Sequence, residues 1–96
     1  YVMLDFYADW CISCKEMERF TFTDPEVKNR LKDVVLLQVD VTEGTTDDEI
    51  LLKHFKLFGP PGILFFDPHG REIYNARTIG YQNKKEFLSI LDAVLI

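Results

Sequence analysis

Phe6-Tyr7-Ala8-Asp9-Trp10-Cys11-Ile12-Ser13-Cys14-Lys15 joins an apolar run to a charged one and holds both cysteines of the chain. The run before it, Tyr1 to Tyr7, is short and apolar on both faces, as a buried strand is. The run after it, Lys15-Glu16-Met17-Glu18-Arg19, consists of good helix formers and predicts a helix from Cys11 to about Phe20. Two residues separate the cysteines, so Cys11 falls at the first exposed turn and Cys14 one turn further in. Free backbone N–H groups and the positive end of the helix dipole favour a thiolate at Cys11. A thiolate is the form that attacks disulfides, and Cys14 is placed to resolve the mixed disulfide. The pair therefore reads as a redox-active dithiol.

Other readings of the pair compete with this one. A structural disulfide would close so short a loop that it removes little unfolded-state entropy. Zinc would need two more ligands, and the only histidines, His54 and His69, are far from the usual three-to-five spacing. Two unrelated, inert cysteines would have no need of a strand-to-helix junction around them. No metal and no cofactor is expected; the two sulfurs carry the electrons.

The bulk numbers narrow the class. A chain of 96 residues, 47% apolar, makes one small domain spanning residues 1–96. No run approaches the ~20 apolar residues of a membrane-spanning helix. The net charge of −5 is spread without a basic stripe, which argues against nucleic acid as a partner. The cysteine spacing is compatible with a reducing or an oxidising compartment.

Two carboxylates stand out near the pair. Asp5 lies inside the apolar strand, where an ionised group is costly unless paired or protonated. It reads either as a carboxylate satisfied by nearby backbone or as a proton acceptor close to the dithiol. Glu18 follows Cys14 by four residues and Cys11 by seven, so a regular helix puts it on the face of both sulfurs. Its plainer reading is a solvated charge paired with a neighbouring Lys or Arg. If both are ionised, Asp5 and Glu18 raise the thiol pKa against the helix start, and the partly buried carboxylates are expected to prevail.

Further along, Asp24-Pro25-Glu26 starts a second helix, with Val27 and Leu31 on its inner face. Val34 to Asp40 is a second buried strand. Thr46-Asp47-Asp48-Glu49 reads as a capping box for a helix to about Leu57, with Ile50, Leu51, His54, Phe55 and Phe58 on its buried stripe. Phe58-Gly59-Pro60-Pro61-Gly62 ends it; the double proline invites a cis bond that bends Pro61 toward the dithiol. Gly62 then leaves open space beside the sulfurs. Ile63 to Asp67 is a third strand, Asp67-Pro68-His69-Gly70 a tight turn, and Arg71 to Gly80 a fourth strand. Asn83 and Glu86 cap a last helix whose inner face is Phe87, Ile90, Leu91 and Val94. The helical crossovers predict three parallel strands and an antiparallel fourth. The class is α/β, a three-layer sandwich with helices on both faces of a mixed sheet.

With these elements in place, Asp5-Phe6-Tyr7-Ala8-Asp9-Trp10-Cys11-x-x-Cys14-Lys15, followed by a Gly-x-Pro loop before an apolar strand, resembles thioredoxin over essentially the whole chain. The Tyr-Ala-Asp-Trp lead-in, Lys15-Glu16-Met17-Glu18, Thr21-Phe22-Thr23-Asp24-Pro25 and Leu64-Phe65-Phe66-Asp67 are similar to the C-terminal periplasmic domain of the DsbD family of bacterial inner-membrane thiol:disulfide interchange proteins. That resemblance implies a first strand and helix ahead of Tyr1, and a place on the periplasmic side of the inner membrane within a longer membrane protein. It also implies electron relay from a membrane-embedded domain of the same protein to other thiol/disulfide domains through transient mixed disulfides. Cys11 and Cys14 would be catalytic, Asp5 and Glu18 would tune their pKa, and Trp10, Pro60 and Pro61 would dock partners. The alternatives are a free-standing thioredoxin-like reductase, a disulfide oxidase, or a redox-inert binding module using only Trp10 and the proline loop. The chain departs from thioredoxin in having Ile12-Ser13 between the cysteines, and Pro60, which lacks an N–H, before Pro61.

Overall fold

The computed structural model describes residues 1–95; Ile96 of the expected domain 1–96 lies outside the described residues. The elements are β1 (Val2–Tyr7), α1 (Ile12–Glu16), a π-helical turn (Met17–Thr21), α2 (Pro25–Leu31), β2 (Val35–Asp40), α3 (Thr46–His54), β3 (Gly62–Phe66), a 3-10 turn (Tyr74–Ala76), β4 (Thr78–Ile79) and α4 (Lys84–Val94). The strands form one mixed sheet in the order β2-β1-β3-β4.

β1 runs parallel to β2, with Val2 opposite Val35 and Tyr7 opposite Asp40. It runs antiparallel to β3, with Val2 opposite Phe66 and Phe6 opposite Gly62. The expectation of a parallel third strand is therefore corrected. A helix of α3's length advances only about 14 Å at ~1.5 Å per residue. The seven residues from Phe55 to Pro61 that follow it can span about 23 Å when extended. They carry the chain back to the end of the sheet it left, so β3 enters against β1. β4 is antiparallel to β3, as expected.

Alternation along the central strands divides the core. Met3, Ile63 and Phe65 pack with Met17, Val27, Leu31, Phe87, Leu91 and Val94 on one face. Leu4, Phe6, Leu64 and Phe66 pack with Val41, Leu51, Phe55, Leu57 and both cysteines on the other. The π turn, α2 and α4 cover the first face and α3 the second, which gives the three layers. β2 is the open edge, where Val35, Leu36 and Leu37 are 55%, 54% and 50% exposed, a row of the kind that invites further strand pairing.

Several local signals hold. The Asp24 carboxylate accepts from the N–H groups of Glu26 and Val27, with Pro25 at the first helical position. Asn83 and Glu86 form the expected reciprocal cap of α4. The cap of α3 is one residue earlier than read: Thr45 and Asp48 form the box. The stripe of α3 is corrected too. Ile50, His54 and Phe58 are exposed, Leu51 and Phe55 half-buried, and the buried contact comes from Leu57 beyond the helix. α3 stops early because Lys56 adopts φ +59°, and the N–H groups of Lys56 and Leu57 turn back to the carbonyls of Lys53 and Leu52. This is the paired hydrogen-bond pattern of a left-handed helix stop, made here by a lysine rather than a glycine.

The expected helix from Cys11 to Phe20 widens after Glu16, where Phe22 N–H reaches the Met17 carbonyl at 2.8 Å. That wide turn buries Thr21, whose hydroxyl donates to the Gln82 carbonyl at 2.7 Å. The expected strand from Arg71 to Gly80 is broken into one bridge at Glu72, the 3-10 turn and the two-residue β4. Arg77 draws the chain away from the ladder by binding the Glu72 carboxylate and donating to the Phe55 carbonyl at 2.6 Å.

Candidate redox site

Cys11 is the N-cap of α1, and its sulfur accepts from Cys14 N–H at 3.1 Å. The two cysteines form a disulfide, with Cα atoms 5.3 Å apart. A strand that ends at Tyr7 and a turn closed by Cys11 N–H to the Ala8 carbonyl, 3.1 Å, deliver Cys11 to the helix start. The sulfur is less open than an exposed first turn suggests: Cys11 is 6% and Cys14 5% exposed. Bonded to each other, both sulfurs turn into the cluster of Phe6, Ala8, Val41 and Leu57. Their neighbours face outward instead, Trp10 at 62% and Ile12 at 76% exposure.

Cys14 Sγ lies 3.9 Å from the Phe6 carbonyl, the acceptor within reach of a reduced thiol. Phe6 pairs with Gly62 in the sheet, so Pro61 is one residue from the strand position that faces it. The Pro60–Pro61 bond is cis, and the Pro61 carbonyl accepts from Gly80 N–H at 3.2 Å. Pro60 offers no N–H of its own. Gly62 does not open space beside the sulfurs: a Cβ there would stand 3.2 Å from the Leu57 side chain, which fills the place.

Asp5 and Glu18 come together on the opposite face of the sheet. They line a groove of about 490 Å³ with Lys28 and Lys32 at its rim and Met3, Phe22 and Leu36 among its apolar walls. Neither cysteine is among its lining residues. Glu18 is the second residue of the π-helical turn that follows α1. Burial, and after it the Glu18 charge, raise the Asp5 pKa from 3.8 to about 7, while Gln38, opposite Asp5 in the sheet, pulls the other way. A carboxyl that titrates near neutrality can hold or release a proton under ordinary conditions. Among the described residues, no group of three or more His, Cys, Asp or Glu side chains could hold a metal ion.

Two side chains in the site escaped sequence reasoning, Asp40 and Thr42. Asp-x-Thr after a strand is a local turn signal. Its partners Asp9 and Trp10 are more than thirty residues away, at separations of 33 and 32.

A dithiol at a helix start, beside a cis-proline loop on a mixed three-layer sheet, defines a class, and a thioredoxin-like family model matches residues 1–68. The chain belongs to the thioredoxin-like family. Its likeness within that family is to DsbD. It is 56% identical over 94 residues to the thiol:disulfide interchange protein DsbD of Ralstonia nicotianae, covering 98% of this chain and 15% of that protein. The oxidised C-terminal domain of Neisseria meningitidis DsbD superposes with a TM-score of 0.84 at 38% identity, over 96% of this chain and 78% of that one. A thioredoxin from Thermus thermophilus gives 0.83 at 28% identity, over 99% of this chain and 73% of that one. The chain thus spans about 15% of the length of the curated relatives it matches.

Proposed function

We propose that this domain is a thiol:disulfide oxidoreductase that relays electrons by dithiol–disulfide exchange. The observation that carries the reading is the Cys11–Cys14 pair, joined as a disulfide at the mouth of α1. In the reduced domain the Cys11 thiolate attacks one sulfur of a partner disulfide. A Cys11–partner disulfide forms and the partner's other sulfur leaves as a thiolate. The Cys14 thiolate then attacks Cys11 Sγ and expels the partner's second sulfur. Two electrons and two protons pass to the partner, and Cys11–Cys14 is again a disulfide.

The helix start stabilises the Cys11 thiolate. Asp5, with its pKa near neutrality, is the group that holds or takes a proton, and Glu18 adjusts it. From a groove that neither cysteine lines, the ionised carboxylates act on the thiols through their field, which keeps the reduced thiols protonated; partner docking that protonates one of them releases the thiolate. Trp10 and the Pro60-Pro61 loop form the docking surface around the pair.

The relationship to DsbD supports a periplasmic setting on the inner membrane. Electrons would arrive from a membrane-embedded domain of the same protein and leave to other thiol/disulfide domains. Among the described residues no helix is long and apolar enough to cross a membrane. The test is a Cys14→Ala variant, which leaves Cys11 unable to be resolved. A periplasmic thiol/disulfide protein trapped on Cys11 as a mixed disulfide is the expected result. Partner capture that persists in Cys11→Ser would instead assign the domain as a redox-inert binding module.

A further inference from the structure

Thr42 follows β2 and is bonded to both residues that precede Cys11. Asp9 N–H donates to Thr42 Oγ1 at 2.9 Å, and the Trp10 indole N–H donates to the Thr42 carbonyl at 3.0 Å. Thr42 is itself held, because its N–H donates to Asp40 Oδ1 at 2.9 Å and its hydroxyl donates to the same oxygen. A hydroxyl has one proton. Spending it on the acceptor-only Asp40 carboxylate turns the oxygen's lone pairs toward Asp9 N–H. The chain of bonds from Asp9 through Thr42 to Asp40 therefore has one direction, and each bond polarises the next. On the near side, Val41 N–H donates to the Tyr7 carbonyl at 2.8 Å and Tyr7 OH donates to Asp9 Oδ1 at 3.0 Å. The turn of Ala8, Asp9 and Trp10 is pinned from both sides.

The geometry points to Thr42 as a positioning residue for the dithiol: its hydroxyl, oriented by Asp40, fixes the Asp9–Trp10 turn and so holds Cys11 where the bond to Cys14 closes. The inference rests on the exchange reading above, since only a pair that cycles has an equilibrium to bias. A turn that is free to move must be ordered each time the disulfide forms, and the clamp removes that entropic cost.

The test is equilibration of the whole domain with glutathione. Two glutathione thiols reduce Cys11–Cys14, giving two domain thiols and one glutathione disulfide. Thr42→Val keeps the shape and the carbonyl but removes the acceptor for Asp9 N–H. It is expected to move this equilibrium about tenfold toward the dithiol, which is ~30 mV for a two-electron couple. Thr42→Ser restores the hydroxyl and is expected to match the wild type. A change of packing alone would lower the stability of oxidised and reduced forms together and leave the equilibrium in place. A folded Thr42→Val with an unchanged equilibrium overturns the inference, as does a Thr42→Ser that shifts as far as Thr42→Val. If Thr42→Val does not fold, Asp40→Asn, which disorients the hydroxyl without removing it, must shift the equilibrium in the same direction; no shift overturns the inference. A wild-type domain that exchanges with neither glutathione nor excess dithiothreitol overturns the exchange reading itself, an outcome distinct from a failure confined to the variants.

Discussion

Replacing Asp5 with Asn isolates the cost of placing a carboxylate in β1. The folded domain raises the Asp5 pKa from 3.8 to about 7. Below pH ~4 the group is protonated in both folded and unfolded chains, and it costs nothing. From there to about pH 7 the unfolded chain has released the proton and the folded chain still holds it. The folded state then binds more protons, so stability falls as pH rises, by up to ~1.4 kcal/mol per pH unit. Above pH 7 the loss is complete, at about 4 kcal/mol. Between pH 5 and pH 8 the expected change is about 2.5 kcal/mol. Urea unfolding of the oxidised wild type and Asp5→Asn across that range gives the difference directly. Contributions from carboxylates that do not interact with Asp5 cancel in it. The variant should gain on the wild type steadily up to neutrality and then hold level. In a Glu18→Gln background the midpoint of that gain should move to lower pH, because the Glu18 charge is the second cause of the shift. A stability difference that stays flat from pH 5 to pH 8 would refute the reasoning, since Asp5 would then titrate as it does in an open chain.

The same carboxylates should act on the thiols. Asp5→Asn and Glu18→Gln are each expected to lower the Cys11 thiol pKa of the reduced domain, read from the pH dependence of iodoacetamide alkylation; unchanged profiles would remove both from the mechanism. Lys56→Gly should stabilise the domain by about 1 kcal/mol, because Lys56 holds a left-handed backbone that glycine adopts without strain; a lower urea midpoint would show that the lysine side chain contributes more than the strain costs. Phe87→Ala should cost about 3–5 kcal/mol, since the ring is fully buried and packs edge-on against Phe22. A loss under about 1 kcal/mol would mean that this face of the core collapses around the gap.

What could be read from the sequence was local. Asp24-Pro25, Asn83 with Glu86, and the cysteine spacing each act through bonds to neighbours within a few residues, and each is where it was expected. The misreadings have physical causes of two kinds. Lys56 in a left-handed conformation ends α3 three residues before the glycine that signals a stop, so the stripe assigned to Phe58 never reaches the core. The other kind depends on distant partners. Arg77 binding to Glu72 and the Phe55 carbonyl breaks the expected fourth strand. Thr42 acts only on residues brought beside it by the pairing of β1 with β2.

The direction of β3 decides which loops meet at the dithiol. β1 and β2 are parallel, so the loops after them, which carry Cys11 and Thr42, leave the same end of the sheet. Open α/β sheets gather their working groups at the carboxyl ends of such strands. Had β3 run parallel as well, its entry would lie beside Val2, and Pro60-Pro61 would be about 20 Å from the cysteines, the length of a six-residue strand. A parallel third strand and a proline loop beside the dithiol were therefore incompatible expectations. The antiparallel register, with Gly62 opposite Phe6, resolves the conflict in favour of the site. It brings the double proline to the end where Cys14 rests against the Phe6 carbonyl. The same reversal places the Gly80 N–H on the Pro61 carbonyl, so the loop arrives already fastened on its far side.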